Sequence, residues 1–268
     1  MITAAAVQMT SGPEVEANLA AAGRWIAEAA AAGARLVVLP ENFSLMPRAE
    51  ADRLAAAEAD GRGPVQDFLA AAAARHRLWL VGGTLPLAAA AARVHSACLV
   101  YDPRGRRAAR YDKLHLFDAR VAEGEHYRES AHVAPGEGPV LVHTDFGRLG
   151  LAVCYDLRFP ELFRRLAARG AEFFVLPAAF TVPTGRAHWE ILVRARAVEN
   201  TAYLVAAGQW GRHASGRRTY GDSLIVDPWG VVLARRPEGE GLAVAALDPA
   251  RLAEVRRRLP VLRHRRLE

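Results

Sequence analysis

A chain of 268 residues that is 51% hydrophobic and 24% charged can bury a sizeable core. Its apolar runs, such as LVVLP (36–40) and FFVLPAAF (173–180), are too short to cross a bilayer. The net charge of +6 suggests nucleic acid. Much of the excess sits in RRRLPVLRHRRLE (256–268), which has no interleaved aromatics, so no nucleic-acid partner is expected.

The predicted elements alternate along the chain. Residues 2–9 read as a strand. Residues 14–32 place Val15, Leu19, Ala22, Ile26 and Ala30 on one helical face, with Gly33 as the C-cap. ARLVVLPE (34–41) is a short apolar strand, and a helix is expected near 64–76. Strands follow at 78–85, 94–102 and 108–114, then a loop over 118–139 and strands at 140–144 and 148–154. A helix near 160–169, a strand at 172–177, a helix at 187–200 and a strand at 202–208 come next. A hairpin over 223–235 turns at Asp227–Gly230, before a strand at 241–247 and a helix at 249–257. This alternation indicates an α/β fold, and the absence of a linker indicates one domain over 1–268.

The two cysteines, Cys98 and Cys154, imply no disulfide framework. MITAAAVQMT lacks the features of a signal peptide, so a cytoplasmic protein without membrane association is expected. There is no GxSxG, GxxxxGK[ST], HExxH or GxGxxG, and no histidine lies at metal-ligand spacing with another His or Cys. Neither a metal nor a cofactor is expected.

What remains is polar chemistry at the ends of apolar strands. Glu41 ends VVLPE, and Cys154 ends GLAVC before a polar turn and Pro160. Free backbone N–H groups at such a turn should depress a thiol pKa and can donate to an oxyanion. Taken singly, a strand-end glutamate is more often a cap or surface charge, and a buried strand cysteine is usually a small hydrophobe. Cys98, in mid-strand, reads as core. Of the 35 basic residues only Lys113 is lysine. In an arginine-rich chain, a lone lysine fits a cramped site that admits a compact ammonium but not a planar guanidinium. Arg158 lies four residues past Cys154, where it can fork onto a substrate carboxylate or pair with Glu161 or Asp156. The loop with Arg212, His213, Arg217 and Arg218 either meets a second carboxylate or is merely exposed.

LPENF (39–43), YDKLHLFD (111–118), RESAHVAPG (128–136) and CYDLRFPEL (154–162) together resemble the nitrilase superfamily. Its Glu–Lys–Cys triad and second glutamate fall on Glu41, Lys113, Cys154 and Glu129. TGRAHWEILVRARAVEN (184–200) and GRHASGRRTYGDSLIVDPWG (211–230) are similar to the Nit branch, closest to its deaminated-glutathione amidases. The resemblance implies an α-β-β-α sandwich that forms homodimers or larger stacks. It also implies hydrolysis of a small amide through a cysteine thioester. Arg158, Phe180, Thr184 and Tyr155 would line the substrate pocket. The sister type, ω-amidases acting on α-ketoglutaramate, shares the triad. Arg186 departs from the expected TGP.

Overall fold

The computed structural model describes residues 1–123 and 125–267. In the strand Ile2–Gln8, Ala4 and Ala6 face one core while Ala5 and Val7 face another. Leu36 and Val38 repeat this division against Val37 and Leu39. Strands buried on both faces read as unbroken apolar runs, which is why these segments show no polar alternation.

The first sheet runs in the order Gly241–Leu247, Ile2–Gln8, Leu36–Val38, Trp79–Val81, Val94–Tyr101, Leu85–Ala88, with Arg107–Asp112 also paired to Val94–Tyr101. The second runs Val232–Arg236, Ser223–Val226, Tyr203–Gly208, Phe173–Ala178, Gly147–Leu151, Leu141–Thr144. The helices Val15–Ala31 and Pro64–His76 cover the outer face of the first sheet through Ala22, Ile26, Leu69 and Ala73. Helices Pro160–Ala168 and Val182–Asn200 cover the second, with Phe163 edge-on to Phe174 at 5.2 Å. The layers are therefore α-β-β-α. Parallel pairing of Ile2–Gln8, Leu36–Val38 and Trp79–Val81, and of Gly147–Leu151, Phe173–Ala178 and Tyr203–Gly208, aligns several strand C-termini. Glu41, Cys154 and Phe180 all leave the sheets at these ends, the usual place for chemistry on α/β scaffolds.

Several expectations shift. The single strand expected over 78–85 is two, Trp79–Val81 and Leu85–Ala88. Between them Gly83 has φ +50°, and a Cβ there would stand 2.1 Å from the Pro40 carbonyl oxygen. The expected loop over 118–139 contains strands Asp118–Ala122 and Glu125–Arg128 and a 3₁₀ turn, Glu129–Ala131. The short helix Ala51–Ala55 and the hairpin Trp210–Arg212 with Arg218–Tyr220 are additional, and the helix expected from 187 begins at Val182. On the first helix the buried residues are Asn18, Ala22, Ile26 and Ala29, with Val15, Leu19 and Ala30 at the flanks. Asn18 is buried because its side chain bridges Gly12 and Ser44. Gly33 does follow the helix, at φ +81°, and Asp227 ties the predicted turn through Trp229 and Val231 N–H groups.

The Gly83 notch makes a direct prediction. Gly33→Ala, at a positive φ in open space, should cost about 1 kcal/mol. Gly83→Ala adds a clash with backbone and should cost at least about 2 kcal/mol. Urea midpoints of the two variants measure the difference, and equal losses would disprove the close approach.

Candidate active site

Glu41 is aimed inward by backbone constraints on both sides. The Leu39 N–H donates to the Val81 carbonyl at 2.9 Å, and the Glu41 carbonyl accepts from Gln209 Nε2 at 3.1 Å. Asn42 then takes a left-handed φ of +58°, its N–H donating to Thr84 Oγ1 at 2.8 Å. Lys113 follows the strand Arg107–Asp112 and is fixed through Ser96 and Gly136 backbone bonds. Its Nζ donates to Glu41 Oε1 at 2.8 Å and to Glu129 Oε1 and Oε2 at 3.1 and 2.9 Å. Glu129 Oε2 also accepts from the Phe117 N–H at 2.7 Å. The Lys113 side chain is 2% exposed. Burial works to raise the Glu41 pKa, but the Lys113 charge and hydrogen bond outweigh it, helped by Arg217, and hold the carboxyl below its usual range. Burial opposes the Lys113 charge; Glu129 and then Glu41 more than reverse this and push its pKa up.

Cys154 comes three residues past the strand Gly147–Leu151, with φ +48°, a left-handed conformation in a non-glycine residue. It opens a 3₁₀ turn, Cys154–Arg158, and Pro160 starts the next helix. Asp156 holds this turn. Its buried carboxylate accepts from the Val153 N–H at 2.9 Å, the Tyr111 hydroxyl at 2.6 Å and the His115 N–H at 3.1 Å, with His115 Nδ1 at 2.7 Å. The cysteine turn is thereby laced to the segment that carries Lys113.

The expected depression of the thiol pKa is reversed. Burial pushes the Cys154 thiol well up, and the Glu41 charge adds to it; Lys113 and the Ala179 N–H pull only partly the other way. Burial and the neighbouring Glu41 charge together favour the thiol over the thiolate at rest. Cys98 is fully buried in its strand, as expected.

These groups floor a cavity of about 450 Å³. Tyr155, Arg158, Phe180 and Thr184, all expected at the site, line it. Arg158 pairs with neither Glu161 nor Asp156, since Asp156 is spent on the turn. Its guanidinium lies 5.8 Å from the Tyr155 ring centre and 5.3 Å from that of Phe180, with Nη1 3.2 Å from His188 Nδ1. The basic loop divides. Arg217 enters the cavity wall, donating from Nη2 to the Ala179 carbonyl at 2.6 Å, whereas Arg212 and Arg218 stay exposed. His213 turns inward, with Nδ1 2.9 Å from the Ser11 carbonyl and Nε2 2.7 Å from Thr219 Oγ1. Burial brings its pKa down to about 4. Arg186 lies outside this cavity, beside Arg212 and Arg218.

Sequence reasoning missed Phe117, Tyr127 and Arg53 as cavity walls and Asp156 as an anchor. The signal for Tyr127 was weak, because EHYR alternates with no apolar partner strand beside it.

A carbon-nitrogen hydrolase family model matches residues 3–257. The chain is 44% identical over 266 residues to a deaminated glutathione amidase of Synechocystis sp., covering 98% of this chain and 97% of that protein. The chain belongs to the carbon-nitrogen hydrolase family. Among solved structures of the nitrilase superfamily, a Saccharomyces cerevisiae member of branch 10 superposes with a TM-score of 0.88 at 32% identity, over 97% of this chain and 94% of that one. The Caenorhabditis elegans NitFhit protein superposes at 0.91 and 38% identity; 99% of this chain corresponds to 65% of that longer chain. As a carbon-nitrogen hydrolase, the protein is an amidase that cleaves an amide bond.

Two outcomes follow from this geometry. Asp156→Asn keeps the size of the side chain but leaves at least one buried donor facing an amide N–H₂, and should destabilise by about 2 kcal/mol, with activity falling as the Cys154 turn loosens. Thermal unfolding read beside activity checks both. His213 is held neutral with a pKa about 4 against an ordinary 6.5. The unfolded chain therefore binds the extra proton first, so stability is lost as pH falls from 7 through 5, by up to about 3 kcal/mol near pH 4. Urea unfolding at pH 7 and pH 5 should show a smaller drop in His213→Asn than in the parent.

Proposed function

We propose that this amidase hydrolyses the amide of deaminated glutathione, releasing 2-oxoglutarate and cysteinylglycine, with Cys154 as nucleophile and Glu41 as general base. The observation that carries the reading is Cys154 in one cavity with Glu41, the carboxylate that shares a buried ammonium with Glu129. The names of relatives such as the Synechocystis sp. protein favour the peptide substrate.

Glu41 takes the thiol proton as Cys154 Sγ attacks the amide carbon. Lys113, beside both, steadies the oxyanion of the tetrahedral intermediate, and Glu129 fixes its position. Glu41 passes the proton to the departing amine, leaving a thioester on Cys154. Glu41 next deprotonates a water that attacks the thioester, and collapse releases the acid and restores the thiol. Arg158, flanked by Tyr155 and Phe180 and without a carboxylate partner among the described residues, takes the carboxylate of the 2-oxo acid end; Thr184 completes this wall. No step requires a cofactor. With ammonia as leaving group, the same steps describe an ω-amidase acting on α-ketoglutaramate.

One hydrolase domain spans the chain, in the cytoplasm, and no described helix is long and apolar enough to cross a membrane. Ile191, Val198, Trp229, Val231 and Leu233 are exposed, and an apolar surface of this kind supports a homodimer or larger assembly.

Cys154→Ser and Glu41→Gln should each lower kcat on deaminated glutathione by at least about 10²-fold. Lys113→Arg should fall nearly as far as Lys113→Ala, because the buried site admits an ammonium and not a planar fork. Retention of most kcat in Lys113→Arg would make that residue structural. A panel of keto-amides, peptides and nitriles tests the substrate, and turnover confined to nitriles would overturn the proposal.

A further inference from the structure

The cavity above Cys154 is not closed at its far side. A second cavity of about 670 Å³ lies against it, and Glu50, Arg53, His126, Tyr127 and Arg217 line both. Arg217 sits at this neck, its guanidinium 5.1 Å from the Tyr127 ring centre. One of its N–H groups is committed to the carbonyl of Ala179, a residue that lines the same cavity as Cys154. Its Nε is enclosed and has no protein partner. A desolvated guanidinium with an unspent donor lacks an acceptor that a bound molecule can supply.

The outer cavity is biased toward anions. Arg48, Arg53, Arg217 and Arg218 line it against Glu50 and Glu125. Both glutamates are already engaged: Glu50 accepts from Arg53 Nε at 2.8 Å, and Glu125 from the Tyr127 hydroxyl at 2.6 Å. Arg48 is partly offset by Glu14 at 3.3 Å. Arg218 is exposed and, among the described residues, makes no ion pair. Met46, Pro47, Val182 and Pro183 give the cavity apolar walls.

We infer that the outer cavity is the leaving-group subsite, built for an amine two residues long that ends in a carboxylate. This rests on the amide hydrolysis proposed above. With the acyl end against Arg158, the scissile nitrogen points to the neck. A dipeptide extends about 7 Å, which carries its peptide carbonyl past Arg217 and its terminal carboxylate to Arg218. Arg217 thus separates an acyl chamber from an amine chamber, and the enzyme selects its substrate on both sides of the bond.

The test uses three amides of the same 2-oxoglutaryl group, with ammonia, cysteinylglycine or the C-terminal amide of cysteinylglycine as the amine. The intact enzyme should prefer the free-acid peptide over its C-terminal amide by about tenfold in kcat/KM, chiefly through KM, the value of one charge-assisted contact. Arg218→Gln should abolish that preference, and Arg217→Gln should weaken both peptides relative to the ammonia amide. Equal turnover of the two peptides by the intact enzyme, or a preference that survives in Arg218→Gln, overturns the subsite alone. Turnover of the ammonia amide with neither peptide cleaved overturns the peptide substrate itself, and the subsite with it.

Discussion

One ammonium shared by two carboxylates in a nearly dry pocket is the constraint that organises this molecule. Moving such ions out of water costs several kcal/mol each, and only close, well-directed contacts offset it. Here Lys113 donates to both glutamates at 2.8–3.1 Å, and Glu129 gains a backbone N–H besides. Glu41, Lys113 and Glu129 come from a strand end, a strand exit and a 3₁₀ turn far apart in the chain. Each arrives because a local device sends it there: the Gly83 notch against Pro40 and the Gln209 amide for Glu41, the Ser96 and Gly136 backbone bonds for Lys113, and the Phe117 backbone contact for Glu129. Two carboxylates and one ammonium still leave a net negative charge. Arg217 helps to offset it, since its field lowers the Glu41 pKa, so the hairpin that carries Arg217 is electrostatically part of the same cluster.

The thiol follows from that charge balance. Both cysteines are buried and both have raised pKa values, so burial alone does not distinguish a reactive sulfur from an inert one. Cys98 pairs with Tyr111 across its sheet in mid-strand, where the field of Asp112 only adds to the effect of burial. Cys154 stands in a left-handed turn and shares its cavity with the Glu41 carboxylate and Lys113. Protonated at rest, such a thiol is protected from adventitious oxidation, and its nucleophilicity is released only when the proton can move to Glu41 at the moment of attack. Asp156 contributes by geometry: it keeps the sulfur in register with Glu41 by tying the turn to His115 and Tyr111.

The sequence revealed what the composition made rare or the pattern made abrupt. A single lysine among arginines, and polar residues that end apolar strands, pointed to Lys113, Glu41 and Cys154, and the structure brings these together. The layered α/β fold was legible because strands buried on both faces are apolar throughout. The hairpin of Asp118–Ala122 and Glu125–Arg128 was not, because it joins neither core cluster and its inner face offers only Ala119, Val121 and Tyr127, too short an apolar pattern to stand out; Tyr127 was lost with it. Asp156 looked like an ordinary turn residue, since nothing in CYDLR announces partners that lie some 40 residues upstream. The thiol pKa was misjudged because free N–H groups at a turn were weighed without the burial and the carboxylate that tertiary structure adds.

Arginine count is likewise uninformative here, and arginine partnership is not. In a chain this rich in arginine, several guanidiniums are matched by neighbouring carboxylates: Arg235 with Asp222 and Glu190, Arg196 with Glu199, Arg251 with Asp227 and Glu254. Such pairs add little net stability where exposed and mainly keep charge evenly spread. Arg158 and Arg217 differ in kind. Each is held by aromatic faces and neutral acceptors, which fix the plane of the guanidinium without cancelling its charge. A cation fixed in this way remains available to an anion that arrives from solution. Both line the cavity that holds Cys154, and the leaving-group subsite proposed above uses the pair to lay an amide with charge at both ends across the nucleophile.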